Sequence, residues 1–252
     1  YGAVHELPTF LRYRSWIGSD RDGNPNVTSE VTRWTLATHR QAALRKYLEE
    51  LRRLQQELSI SQRRSEIPGS LYRSLEADGE EVPLDEGRRR QYQDEPYRLK
   101  IAYMMTRLAW LLEDLEAGDV YRSAYTSERF VADLDLIDSA LREGGFVQAA
   151  EHTNLGRVRV LARSFGFHLA TLDVRQHSRI HEQALTEIFR LAGVEENYAA
   201  LNEEEKLRVL TAELGNPRPL LTRGAELPEE AKTVLDTFAV IRDAIRSEPN
   251  SI

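Results

Sequence analysis

A short segment near the beginning of the chain concentrates residue types that can do chemistry. Residues 15–26, SWIGSDRDGNPN, place the charges of Asp20, Arg21 and Asp22 between glycines and close to the indole of Trp16. An arginine and carboxylates beside an aromatic ring could hold an anionic ligand, while the same composition also forms a tight turn held by Asx hydrogen bonds. A calcium loop is excluded, because its sixth and twelfth positions require Gly and Glu and hold Pro and Val here.

A second group of candidate residues lies at the C-terminal end of residues 167–175. Alternation along this segment puts Asp173 and Arg175 on one face of a predicted strand and His168 on the other. A guanidinium beside a carboxylate can anchor a phosphate or a carboxylate through two parallel hydrogen bonds, and a structural ion pair is the alternative. Residues 10–17 form the other predicted strand. Both charged groups therefore follow strands, where the active sites of barrels with alternating strands and helices lie.

The histidines give weaker signals. His177 and His181 stand four apart on the helix that follows the second predicted strand, but Ser178 occupies the position where zinc hydrolases carry Glu, so the spacing does not favour a metal pair. We expect His168 to be a core or interface histidine. The other three have no evident partners: His5, His39 and His152.

Composition excludes several classes of protein. The 252 residues carry 34 basic and 41 acidic side chains, a net charge of −7 and no cysteine, so disulfides, thiolate metal sites and a thiol nucleophile are excluded. The acidic balance argues against nucleic acid as a partner, and no apolar run approaches the roughly 18 residues of a membrane span. A soluble globular protein is expected. Few candidates exist for a catalytic lysine: Lys46, Lys100, Lys206 and Lys232.

Helical periodicity dominates the rest of the chain, which predicts a predominantly α-helical α/β protein. The predicted helices span residues 28–59, 96–117, 127–144, 147–164 and 202–214, and Ser127 is the predicted cap of the third. A further helix follows a Ser178 cap, and the last helix opens at Pro228. Asn202 with Glu205 forms a capping box. Five apolar positions are predicted to form the inner face of the last helix: Val234, Leu235, Phe238, Ile241 and Ile245.

Residues 60–94 interrupt this pattern. Pro-Gly at 68–69, Asp-Gly at 78–79, Pro83 and the arginines 88–90 predict a long polar connection over about 60–95, with a short helix near residues 71–75. The arginine triplet is most simply a solvated loop. The chain also starts without Met and ends in a polar stretch, so we expect residues 1–252 to be a piece of a longer protein.

The two charged segments resemble phosphoenolpyruvate carboxylases. Ser15, Trp16 and residues 18–25 match the family's Ser-Trp…Gly-Gly-Asp-Arg-Asp-Gly-Asn-Pro pattern, with Ser19 in place of the second glycine. Residues 165–176 are similar to its Phe-Gly…Leu-Asp-Ile-Arg-Gln strand, and His177 replaces the usual glutamate. Residues 218–221 and 237–238 also fit in order. The resemblance implies part of a (β/α) barrel elaborated with many helices.

The resemblance implies a carbon–carbon lyase that forms oxaloacetate and phosphate from phosphoenolpyruvate and bicarbonate, with Mg²⁺ or Mn²⁺. Arg175 matches an active-site arginine that binds substrate phosphate or the bicarbonate-derived anion, and Trp16 matches a tryptophan of the bicarbonate/CO₂ region. Asp20, Arg21 and Asp173 would support them. The resemblance further implies an allosteric, cytoplasmic homotetramer.

The family's catalytic His, its catalytic Lys, its glycine-rich loop and its metal-ligand motifs have no match in this sequence. We therefore expect a central fragment, with no metal ligands of its own and no activity in isolation. Two alternatives remain open. One is a helical scaffold or regulatory module that keeps the fold without the chemistry, and the other is a different phosphate-handling barrel enzyme.

Overall fold

The computed structural model is mostly helical with a small parallel sheet, and it describes residues 10–118, 124–222 and 224–252. Strands β1 (Arg14–Ser15) and β2 (Thr171–Leu172) form a two-stranded sheet. The helices are α1 (Ser29–Glu57), α2 (Gly69–Glu81), α3 (Glu86–Tyr92), α4 (Pro96–Glu116), α5 (Ser127–Glu143), α6 (Val147–His152), α7 (Leu155–Phe165), α8 (Ser178–Leu191), α9 (Glu203–Leu214) and α10 (Glu229–Ser247). Within these described ranges, no helix combines the length and the apolar character needed to cross a membrane.

The chain divides into two compact units. The first takes Tyr1–Ser15, Leu36–Thr171 and Ala244–Ile252, and the second takes Trp16–Thr35 and Leu172–Asp243. The core of the first unit lies between helices whose apolar side chains recur with helical spacing, and Leu44, Leu108 and Phe130 in it are completely buried. In the second unit, two smaller apolar clusters form around α8, one with α10 and one with α9.

A buried charge cluster connects three helices of the first unit. The ammonium of Lys100 on α4 lies 2.9 Å from an Asp78 carboxylate oxygen on α2 and 2.6 Å from an Asp133 oxygen on α5. Arg107 on α4 pairs with Asp78 at 2.8 Å. Because an unpaired buried charge is costly, these contacts fix the position of α2 against α4 and α5.

The polar connection predicted over residues 60–95 is wrong, because α2 and α3 form there. The short helix expected near residues 71–75 exists but continues past the Asp-Gly pair to Glu81. Leu71 is fully buried and Asp78 is held by Lys100, so tertiary contacts override the turn signal. Asp85 then caps α3 by accepting hydrogen bonds from the backbone N–H groups of residues 87 and 88, and arginines 88–90 are exposed.

Other boundaries also differ from the prediction. The two strands are shorter than residues 10–17 and 167–175, and the helix predicted over 147–164 divides at residues 153–154. There Asn154 donates its side-chain amide to the carboxylate of Glu50 at 2.6 Å. The caps of α5 and α8 are Thr126 and His177, one residue before the predicted serines. The capping box of Asn202 and Glu205 is confirmed.

The predicted inner face of α10 is largely wrong. Leu235, Phe238 and Ile245 are exposed, whereas Val234 is buried as predicted and Ile241 is half-buried. The other buried apolar positions of this helix are Ala231, Val240 and Ala244. The buried stripe is therefore built from smaller side chains. Apolar character alone did not distinguish between two neighbouring stripes of the same helix.

Candidate functional site

The two charged segments meet in the second unit through backbone hydrogen bonds. Asp20 and Arg175 form a parallel bridge. The Arg21 N–H donates to the Arg175 carbonyl at 2.9 Å, and the Arg175 N–H donates to the Ser19 carbonyl at 3.1 Å. The Ser19 hydroxyl donates to the Asp173 carbonyl at 2.7 Å. The structure thus brings all the predicted site residues into one small region of the chain.

Arg175 and Trp16 form an exposed pair in this region. The guanidinium carbon of Arg175 lies 5.5 Å from the Trp16 ring centroid, a distance at which cation–π attraction operates. One guanidinium nitrogen lies 3.8 Å from an Asp173 carboxylate oxygen, and 54% of the Arg175 side chain is exposed. Trp16 is 57% exposed. The planar donor fork of Arg175 is therefore accessible to an anion beside an aromatic surface.

Arg21 points into the protein rather than toward solvent. It is only 7% exposed, and its guanidinium donates to the Ser19 carbonyl at 3.2 Å and to the Thr32 hydroxyl at 2.6 Å. It also reaches the Thr28 carbonyl at 3.3 Å. Burial lowers the pKa of this guanidinium, which nevertheless stays protonated as arginine does in proteins. These contacts tie the loop that carries Asp20 to the first turns of α1.

Gly18 makes this close packing possible. Its φ of +77° is in the left-handed region, and a Cβ at this position would lie 2.0 Å from the Thr35 hydroxyl oxygen. Thr32 donates to the Gly18 carbonyl at 2.8 Å. Sequence reasoning missed Thr32 and Thr35. Their helical spacing after Thr28, directly behind the charged turn, is the signal that could have identified them.

The charged segment is also a genuine turn. The Asp22 N–H donates to the Asp20 carboxylate at 3.3 Å, and the Asn26 N–H donates to the Asn24 side chain at 3.1 Å, as in Asx turns. The turn interpretation from the sequence is confirmed. A turn and an anion-binding group are compatible interpretations of this segment, because the turn sets the position of the pair formed by Trp16 and Arg175.

Histidines near this region have other contacts. His177 caps α8 by accepting the Arg179 N–H on Nδ1 at 3.2 Å, and the His181 ring packs on Phe238 with centroids 5.9 Å apart. In the first unit, His168 is half-buried with Nδ1 3.6 Å from a Glu248 oxygen. His39 is half-buried and His152 exposed, and His5 falls outside the described residues.

The resemblance implies a divalent cation, and the described residues do not fit one. Across residues 10–118, 124–222 and 224–252 there is no group of three or more His, Cys, Asp or Glu side chains that could hold a metal. Of the two acidic candidates, Asp20 accepts a turn hydrogen bond and Asp173 lies beside the Arg175 cation. Mg²⁺ needs several oxygen ligands in near-octahedral geometry, which this arrangement does not supply.

Comparison with known proteins decides the family. The family model described as phosphoenolpyruvate carboxylase matches residues 2–252. The chain belongs to the phosphoenolpyruvate carboxylase family. A phosphoenolpyruvate carboxylase of Rhodothermus marinus is 50% identical over all of this chain, which covers 27% of that relative.

More distant phosphoenolpyruvate carboxylases match over a similar extent. Relatives from Rhodopseudomonas palustris and Azorhizobium caulinodans are 39% and 37% identical over 96% and 95% of this chain, which spans 26% of each. The chain therefore spans about a quarter of the length of these relatives. The resemblance found in the charged motifs is confirmed as family membership.

Proposed function

We propose that this chain is a segment of a phosphoenolpyruvate carboxylase and supplies part of its anion-binding site. The observation that carries the proposal is the accessible Arg175 guanidinium beside the Trp16 ring, held where the two family motifs meet. In this proposal the segment belongs to a (β/α) barrel. The Mg²⁺ or Mn²⁺ ligands lie outside it, and the complete enzyme is a cytoplasmic homotetramer.

Apart from CO₂, every species in the reaction would be anionic. A bicarbonate oxygen attacks the phosphorus of phosphoenolpyruvate, and the bond from phosphorus to the enol oxygen breaks to give carboxyphosphate and the enolate of pyruvate. Carboxyphosphate then releases CO₂ and phosphate, and the enolate carbon bonds to CO₂ to form oxaloacetate. A fixed guanidinium stabilises such charge as it develops because it needs no reorganisation during the reaction.

Each residue would have a distinct task in this scheme. Arg175 would donate two hydrogen bonds to the substrate phosphate or to the bicarbonate-derived anion, and Asp173 would orient it at 3.8 Å. Trp16 would offer an apolar surface to CO₂, which has no net charge. Asp20 and Arg21 would order the loop that carries Trp16, through the turn and the contacts to α1.

The test uses the full-length protein that contains this segment. We expect Arg175→Ala to lower kcat for oxaloacetate formation by about three orders of magnitude, as loss of one transition-state donor does, with the melting temperature unchanged. Arg175→Lys should recover only part of the rate, because Lys lacks the planar fork. Arg179→Ala, an exposed arginine on α8, is the matched control.

Near-normal turnover of Arg175→Ala would remove Arg175 from the site. Absence of any phosphoenolpyruvate-dependent oxaloacetate formation in the wild-type full-length protein would instead favour a helical scaffold or regulatory module.

A further inference from the structure

The sequence contains two Asp-Gly pairs, Asp22-Gly23 in the turn within residues 15–26 and Asp78-Gly79 in α2. In such a pair the backbone nitrogen of the glycine can attack the side-chain carboxyl carbon of the aspartate. Glycine leaves this approach open because it has no Cβ. The two pairs have opposite surroundings, so the structure predicts different reactivity for them.

The Asp22-Gly23 pair is unrestrained in the part of the chain that the structure describes. Asp22 is exposed, and its carboxylate accepts no hydrogen bond from a described residue and pairs with no described cation. The Asn24 N–H donates to the Arg21 carbonyl at 3.1 Å, and Gly23 has a φ of +70°, as at the third position of a type II turn. At the centre of this turn the Gly23 N–H donates to no described residue. The side chain of Asp22 and the Gly23 nitrogen are therefore both free to react.

The Asp78-Gly79 pair is held on both sides of the bond that would have to form. Asp78 is 3% exposed, and its carboxylate oxygens lie 2.9 Å from the Lys100 ammonium and 2.8 Å from the Arg107 guanidinium. Gly79 lies inside α2 (Gly69–Glu81), where backbone N–H groups are used by helical hydrogen bonds. Asp78 can react only after two buried ion pairs break and the helix opens locally.

We propose that Asp22 is a site of spontaneous isomerisation to isoaspartate and that the native structure protects Asp78. The Gly23 nitrogen bonds to Cγ of the protonated Asp22 carboxyl group, whose OH leaves with the N–H proton as water, which gives a cyclic succinimide. Water then opens the ring. Opening at the main-chain carbonyl gives isoaspartate, and opening at the former side-chain carbonyl restores aspartate. The only other reactant is water, which leaves in the first step and returns in the second.

Isomerisation would change the turn that orders Asp20. In isoaspartate the main chain runs through the side-chain carbons, so one more atom separates the nitrogens of residues 22 and 23. The hydrogen bond from the Asn24 N–H to the Arg21 carbonyl closes over this segment, and the longer chain no longer fits it. The proposal concerns the chemistry of the turn and does not depend on the carboxylase reaction.

The experiment incubates the 252-residue chain in a mildly acidic buffer, below its unfolding temperature, and analyses both pairs in proteolytic peptides. Aspartate and isoaspartate peptides have equal mass, so chromatography separates them and electron-transfer fragmentation identifies them. We expect isoaspartate to form at residue 22 at least about a hundredfold faster than at residue 78, because breaking buried ion pairs limits the second reaction. Absence of isoaspartate at residue 22, or equal rates at the two residues, overturns the proposal.

The same chain in concentrated guanidinium chloride is the reference. Without native contacts, both Asp-Gly pairs should form isoaspartate at similar rates. A preference for residue 22 that persists unchanged in the denatured chain would show that the flanking sequence makes Asp22 reactive, and it would contradict the role of the folded structure.

Two variants test each half of the proposal. Asp22→Glu keeps the charge, but its longer side chain would have to close a six-membered ring, so we expect no isomerised peptide from residues 22–33. An isomerised peptide in this variant would place the modification at another residue. Lys100→Met removes one partner of Asp78 and should speed isomerisation at residue 78 by at least about tenfold, with residue 22 unchanged. An unchanged rate at residue 78 contradicts protection by the ion pair.

Discussion

The backbones of Arg21 and Arg175 are joined by a hydrogen bond, but the side chain of Arg21 is buried and that of Arg175 is exposed. Arg21 is 7% exposed and bonds to neutral groups at the start of α1. Arg175 is 54% exposed and lies over the Trp16 ring. Their sequence contexts are equally charged, so composition could not assign one to the interior and the other to a ligand. The inward orientation of Arg21 depends on its hydrogen bonds to the Thr28 carbonyl and the Thr32 hydroxyl at the start of α1.

Gly18→Ala tests how tightly the charged turn is packed. The left-handed φ and the 2.0 Å approach to Thr35 should together cost about 2–5 kcal/mol in free energy of unfolding. Gly23→Ala is the control, because Gly23 has a φ of +70° with nothing within 4 Å of its would-be Cβ, and it should cost only about 1–2 kcal/mol. Urea denaturation measures both.

A double variant separates the two causes at Gly18. Adding Thr35→Ala to Gly18→Ala removes the hydroxyl that the new methyl group meets, so part of the lost stability should return. Purely additive effects of the two substitutions would show that backbone strain alone accounts for the loss.

His39 predicts a dependence of stability on pH. Burial lowers the pKa of its imidazole. A hydrogen bond to the Ala170 backbone partly offsets this lowering, and the nearby His168 adds to it. The unfolded state therefore binds the proton more readily, so stability is fully present above the unfolded pKa of about 6.5 and falls as the pH drops below it. We expect His39→Gln to reduce this acid-side loss. His152→Gln, at an exposed position, should not.

The measurement for His39 is the urea midpoint of each variant at pH 7.5 and at about pH 5, below the usual histidine pKa. If the urea midpoint of His39→Gln falls between pH 7.5 and about pH 5 by as much as that of the wild-type protein, His39 is not the titrating group.

At the scale of the elements, residues adjacent in sequence predicted the helices more accurately than the strands. Pro96 begins α4 and the Asn202 capping box opens α9 as predicted, since both depend on residues adjacent in sequence. The strands are only two residues each. Their length was not predicted because their pairing depends on segments more than 150 positions apart, as the Ser19 hydrogen bond to Asp173 does. The alternation of side chains predicts that a strand forms, but it does not predict how many residues of that strand pair with a neighbouring strand.

The prediction of a polar connection over residues 60–95 was wrong for a related reason. Its glycines and prolines are typical of loops, whereas α2 is stabilised by contacts with other helices, through the buried Leu71 and the ion pair of Asp78 with Lys100. The candidate site shows the same limit. Its residues were found by type and spacing, whereas the inward orientation of Arg21 arises from contacts with the start of α1.

Lys100→Met tests whether the charge cluster stabilises these elements. The side chain is 1% exposed between Asp78 and Asp133, so removing it leaves buried carboxylates short of a partner and should cost about 3–5 kcal/mol in free energy of unfolding. Arg90→Met breaks an exposed pair with Glu86 on α3 and should cost less than about 0.5 kcal/mol. Thermal and urea unfolding of both variants measure the difference, and similar small losses would contradict a structural role for Lys100.

At the scale of the whole chain, the candidate site contains binding groups and few groups that move protons. Arg175 and Trp16 offer an anion-binding surface, and the described ranges hold no cluster that fits a metal. The chain matches the phosphoenolpyruvate carboxylase family along its length and spans about a quarter of its relatives. In the function proposed above, this segment would contribute stabilisation of charge, and the acid–base and metal chemistry would come from other segments.

This division of labour predicts that the isolated 252-residue chain forms no oxaloacetate from phosphoenolpyruvate and bicarbonate, with either Mg²⁺ or Mn²⁺ present. Holding an anion beside Arg175 does not by itself activate bicarbonate or stabilise the enolate, and residual rates from binding alone are orders of magnitude below a complete site. The assay couples oxaloacetate to NADH oxidation, with the full-length protein as the positive control and the isolated Arg175→Ala chain as the blank. Turnover by the isolated wild-type chain above that blank would mean that these residues contain a complete catalytic site, and the assignment of the metal and proton chemistry to other segments would be wrong.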